Sequence, residues 1–181
     1  MKSLLRAALA ASALLCIVNA HASVFSFSYT FGDQQTITGT LTGDVAGDYV
    51  NNISNVHVFF NNTEFSGSLL SAGYDTTTSQ FEGAGTAVVS TKAGLNNFIF
   101  ADADPTGPAI ANNYFYFIND PSYGQEVFAV NYNLDAIPSA LDSTAGNWSL
   151  IEQAAAVPEP SSIALTLGAL GLLGLSRRRR V

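Results

Sequence analysis

From Val24 to Phe31 the chain alternates. Phe25, Phe27, Tyr29 and Phe31 share one parity, and Ser26, Ser28 and Thr30 take the other. A strand has a side-chain period of two, so this pattern puts four aromatic rings on one face and hydroxyls on the opposite face. The device recurs with Ile37 and Leu41 among threonines, with Val56, Val58 and Phe60, and in the pairs Phe98/Phe100, Phe115/Phe117 and Phe128/Val130. No stretch between 23 and 156 carries a helical stripe. Strands are expected at 24–31, 35–42, 49–60, 64–70, 80–90, 96–101, 113–118, 125–132 and 147–152. Turn signals such as Gly32-Asp33, Gly43-Asp44, Asn61-Asn62, Asp104-Pro105 and Asp120-Pro121 lie between them. The expected fold is all-β, an antiparallel β-sandwich over 23–152 with jelly-roll-like or Greek-key connections.

Composition divides the 181 residues into three parts. Residues 1–22 carry Lys2 and Arg6, then the apolar run Ala7–Val18, then Asn19-Ala20-His21-Ala22. A basic start, an apolar core and a small-x-small close read as a secretory signal peptide. Ala20 and Ala22 frame the expected cleavage, leaving Ser23 first in the mature chain; an uncleaved anchor is the alternative. Cys16, the one cysteine, lies in this segment, so the mature chain is expected to hold no disulfide and no Cys-ligated metal. Leu15 precedes it where a lipidation signal wants a small residue.

The middle part, 23–156, holds all 12 Phe, 7 Tyr and the single Trp of the chain. Aromatics are therefore the expected core material. This part also holds every acid but Glu159 and one basic side chain, Lys92, which gives a net charge of −12 against −7 for the whole chain. Nucleic acid is excluded as a partner, because phosphate binding needs clustered Lys and Arg.

The third part begins after a linker at 153–157. Pro158 and Pro160 fix φ and hold their neighbours extended, as a protease cleft requires. Ser161 to Ser176 contains no charge, and Arg177, Arg178, Arg179 and Arg180 follow. A helix over 161–176 would rise about 24 Å, short against a hydrocarbon layer of about 30 Å. The arginines are expected to stay cytoplasmic, which places the central domain on the outer side.

Val157-Pro158-Glu159-Pro160, a short apolar helix and a terminal Arg cluster resemble the PEP-CTERM sorting signal of Gram-negative bacteria, here spanning 158–181. The resemblance implies recognition and cleavage by an exosortase, a Cys protease-like membrane enzyme, after transient retention by the helix. It further implies release at the cell surface or into the extracellular matrix, often beside exopolysaccharide. Phe27-Ser28-Tyr29-Thr30-Phe31-Gly32-Asp33 and Gly146-Asn147-Trp148-Ser149-Leu150 are similar to segments of domains that carry such tails. An ordinary single-pass anchor with a Pro-rich stalk is the alternative.

Catalytic candidates in the central part are few. His57 is the one histidine left after His21, set between Val56 and Val58; it reads as a polar-face residue or as a base for a serine. No Gly-x-Ser-x-Gly and no His-Glu-x-x-His occurs. Paired carboxylates suffice for a glycosidase, yet most acids occupy turn contexts that favour Asp. The expectation is a protein that is not an enzyme and needs no cofactor. Asp102 and Asp104 before Gly107, and Asp44 with Asp48, are the candidate Ca²⁺ ligands. Tyr49, Tyr74 and Tyr123 are the candidate sugar-stacking residues. The leading expectation is a structural or adhesive surface protein; a carbohydrate-binding module and a secreted glycoside-active enzyme are the alternatives. Given the charge of −12, association with an acidic polysaccharide is expected to need Ca²⁺ or Mg²⁺ bridges.

Overall fold

The computed structural model describes residues 22–121, 124–134, 139–143 and 146–154. The described residues form twelve strands: β1 (Ser23–Thr30), β2 (Thr36–Ala46), β3 (Tyr49–Phe60), β4 (Thr63–Glu64), β5 (Leu70–Asp75), β6 (Gln80–Ala84), β7 (Val89–Ser90), β8 (Phe98–Ala101), β9 (Asn113–Asp120), β10 (Gly124–Asn131), β11 (Ser139–Asp142) and β12 (Trp148–Glu152). The described helix is one 3-10 turn, Ala93–Leu95. No helix among the described residues is long and apolar enough to cross a membrane. The expected helix 161–176, Arg177–Arg180, the Val157–Pro160 motif and the signal segment before Ala22 all lie outside the described residues.

The strands form two antiparallel sheets. The first runs β12-β1-β2-β3-β4, with β7 also paired to β3; the second runs β11-β10-β9-β8-β5-β6. Successive strands mostly remain in one sheet, as the β1-β2-β3-β4 and β8-β9-β10-β11 runs show. Short turns explain this. Ala46 pairs with Tyr49 across Gly47 and Asp48, and Gly47 has φ +66°, which only Gly adopts without strain.

The inward parities of both sheets meet in one hydrophobic cluster. Phe25, Phe27, Tyr29, Ile37, Leu41, Val58 and Phe60 enter from the first sheet; Phe98, Phe100, Phe115, Phe117 and Val127 enter from the second. Phe27 lies 5.9 Å from Phe100, 6.1 Å from Phe115 and 5.8 Å from Trp148, centroid to centroid. Its ring also lies over its cross-strand partner Gly39. A Cβ at Gly39 would sit 2.3 Å from Phe27 Cζ and 2.2 Å from the His57 carbonyl oxygen.

In β3 the buried apolar residues Val50, Ile53 and Val56 are three apart, then Val58 and Phe60 two apart. The register slips by one residue between Thr40 and Thr42 and again between Thr42 and Asp44. Asn52 (φ +53°) and Asn55 (φ +47°) absorb the extra residues. Asn tolerates the left-handed region better than most side chains, and each bulge returns the next apolar residue to the core.

Three expected boundaries shift. The span 64–70 is not one strand, because after Glu64 the chain turns through Gly67 (φ +84°) and crosses to the other sheet, where β5 starts at Leu70. The span 80–90 breaks at Gly85 (φ +92°), leaving β6 in one sheet and β7 in the other. β11, which buries Ala140 alone, lies outside the expected strands. Its Asp142 accepts the Tyr29 hydroxyl at 2.9 Å and the Gly32 N–H, and so ties the two sheets along one edge.

Phe98 is fully buried and touches Phe100, Phe115, Phe117 and Trp148 with centroids 4.4 to 6.1 Å away. Phe98→Ala is expected to cost about 3–5 kcal/mol of unfolding free energy. Gly39→Ala, an overpacking change against backbone, is expected to cost about 1–3 kcal/mol. Urea denaturation measures both; a Phe98→Ala variant as stable as the parent would contradict the packing described.

Candidate functional site: an aromatic groove

Strand β9 is aromatic on both faces. Phe115 and Phe117 point into the core, while Tyr114 and Tyr116 lie half-buried on the outer face of the second sheet. A strand that is apolar on both parities needs a cover on both sides. Here the outer cover is partial. Ala72, Ile99 and Ala101 form a small buried cluster beneath Phe81, Ala111, Tyr114 and Tyr116. Tyr114 and Tyr116 have near-parallel rings 6.3 Å apart, and Phe128 of β10 stacks beside both, at 5.7 and 5.6 Å. Phe81 tilts against Tyr116 at 5.9 Å, and Tyr74 meets Phe81 edge-on at 5.4 Å.

The loop 102–112 forms the facing wall. Pro105, Ala109 and Ala111 line a cavity of about 310 Å³ with Phe81, Tyr114 and Tyr116, a volume at the lower end for small-ligand sites. Two carboxylates hold this wall. Asp102 accepts the Asn112 N–H and the Asn113 side-chain amide, each at 2.8 Å. Asp104 accepts the Thr106 N–H at 2.9 Å and its hydroxyl at 2.7 Å. Those bonds, the backbone one first, hold the Asp104 carboxyl below its ordinary value.

The remaining candidates are dispersed. Asp44 accepts the Asn52 side-chain amide at 2.8 Å, and Asp48 pairs with Lys92. Among the described residues no three of His, Cys, Asp and Glu gather as a metal-ligand set. His57 Nδ1 meets Glu64 Oε1 at 2.9 Å on the exposed side of β3. Ser68 lines the same cavity of about 220 Å³ as His57. Of the tyrosines singled out from sequence, Tyr74 belongs to the aromatic face and Tyr49 lies on β3 of the other sheet. Tyr123 and the sorting motif lie outside the described residues. Tyr114, Tyr116, Phe81 and Phe128 are additions from the structure. Their signal in the sequence is the unbroken run Tyr114-Phe115-Tyr116-Phe117, which no single buried face needs.

The phenol of Tyr116 donates to Glu126 Oε1. Burial first, then this bond and the Glu126 charge, push its pKa above the ordinary 10.0. Burial raises Tyr114 as well, with Tyr132 adding to the shift. The neutral phenols are thus favoured by folding. Their stabilisation is complete below about pH 10 and is lost as pH rises beyond that, once unfolded tyrosines ionise. Ultraviolet titration is expected to show tyrosines that ionise late, together with unfolding. Tyr116→Phe should remove one of them. Ordinary titration of every tyrosine in the folded protein would contradict the burial of these phenols.

Comparison with known proteins bears on the tail. Residues 156–180 match the family model described as the PEP-CTERM protein-sorting motif. The comparisons with curated proteins and with solved structures give no match. The chain therefore carries a PEP-CTERM protein-sorting motif over residues 156–180, the mark of an exosortase-processed exported protein.

Proposed function

We propose that this chain is a surface or extracellular-matrix protein whose tail is cut by an exosortase at Val157–Pro160. Its folded domain is then a non-enzymatic adhesive module. The observation that carries the reading is the sorting motif at 156–180. In this reading the apolar segment 161–176 holds the chain in the inner membrane until cleavage, and Arg177–Arg180 anchor its cytoplasmic side. The shared aromatic core of the two sheets supports a β-sandwich, which needs no crosslink to survive outside the cell.

The aromatic groove favours a second, compatible reading: the domain adheres by binding polysaccharide. Stacked rings offer flat faces to the C–H side of a sugar, and the Tyr116 phenol oxygen, whose O–H goes to Glu126, keeps the capacity to accept from a sugar hydroxyl. The wall-holding roles of Asp102 and Asp104 account for these acids without a resident ion.

Intact-mass measurement of the released protein tests the sorting reading. The expected species begins near Ser23 and ends near Val157 or Pro158. A variant with Glu159→Ala and Pro160→Ala is expected to keep Arg177–Arg180 and to stay with the membrane fraction. Unchanged processing of that variant, or a released parent that still carries the arginines, would overturn the proposal.

A further inference from the structure

The charge around the groove restricts which sugars suit it. Asp102 and Asp104 stand in the loop that makes one wall. Glu126 bonds the Tyr116 phenol on the adjoining strand. Across 23–156 the one Lys or Arg is Lys92, and it is paired with Asp48 at the β2–β3 turn of the other sheet. No basic side chain is therefore available to hold a uronate or a sulfate at the rings. The lining of the cavity itself carries no charge; the carboxylates tied to it are Glu126, through the Tyr116 phenol, and Asp102 and Asp104 in the wall loop.

Resting on the polysaccharide reading above, we propose that the groove takes units of a polysaccharide bearing protonated primary amines, as in a partly deacetylated amino-sugar polymer. The pyranose ring lies against Tyr114, Tyr116 and Phe81, whose faces also attract a nearby ammonium group. Glu126 and the acids of the wall loop supply complementary charge. Their reach is about 8 Å at physiological salt, so binding depends on salt while stacking persists. The same acids exclude polyuronates, which feel the domain's net charge of −12 unrelieved.

Calorimetric titration of the released protein tests this with three probes at mildly acidic pH: glucosamine hexamer, N-acetylglucosamine hexamer and an oligoguluronate. The glucosamine oligomer is expected to bind tightest, to weaken as salt rises, and to lose about tenfold or more in affinity with Tyr116→Ala or Phe81→Ala. Ala109→Trp fills the groove from an exposed wall position without altering a buried side chain, and is expected to act likewise. Tyr49→Ala, on the other sheet, should leave binding unchanged. Equal affinity for the oligoguluronate, or parental affinity in Ala109→Trp, would overturn the proposal; in the second case surface charge alone holds the amine. If the acetylated oligomer binds best and Ala109→Trp abolishes that binding, the amine preference fails and the polysaccharide reading stands. If none of the three binds, both fail, and the exosortase reading is untouched.

Discussion

The seat of Phe27 on Gly39 is the contact on which the two-sheet arrangement depends. A glycine in the middle of β2 leaves backbone bare, and the cross-strand ring covers it. From there Phe27 reaches Phe100 and Phe115 on the facing sheet and Trp148 at the edge. The ring thus joins one strand pair and two layers at once. Without a disulfide in the described domain, aromatic packing carries the cohesion that small exported domains often draw from crosslinks. Trp148 is fixed in turn by its indole N–H, which donates to the Ser90 carbonyl at 2.7 Å.

Much of this architecture was legible in the sequence because period-two alternation is a direct image of a half-buried strand. Strands β1 and β3 coincide closely with spans marked by alternating Phe, Tyr and Val. The failures also have physical causes. Alternation cannot show where a strand leaves its sheet, so it gives no sign of the crossings at Gly67 and Gly85; both turn on a positive φ. The threefold spacing of Val50, Ile53 and Val56 looks aperiodic until the bulges at Asn52 and Asn55 are seen. The aromatic groove was hidden for a related reason. Inward Phe115 and Phe117 suffice to explain the strand, and alternation assigns Tyr114 and Tyr116 nothing further.

The acids show how composition underdetermines role. Asp33, Asp75 and Asp104 each accept the backbone N–H two residues ahead, closing local turns. Asp102 braces the groove wall, and Asp142 joins the two sheets. A chain so short of cations sets its loops with carboxylates and Asn instead. Its surface charge is then partly a by-product of how its turns are built.

The pairing of β1 with β12 has a consequence in time. Ser23 and Glu152 are bonded neighbours 129 positions apart in the chain, and Tyr29 faces Trp148 across the ladder. Closing so long a loop delays the pairing, and topologies rich in distant contacts fold slowly. If synthesis or translocation delivers β1 first, Phe25, Phe27 and Tyr29 must wait for the final strand before their sheet is complete. During that interval their rings remain open to self-association. The chain is most exposed to aggregation before Trp148 arrives, which makes rapid delivery of its last strand, more than the strength of the finished core, the condition for its recovery as a folded protein.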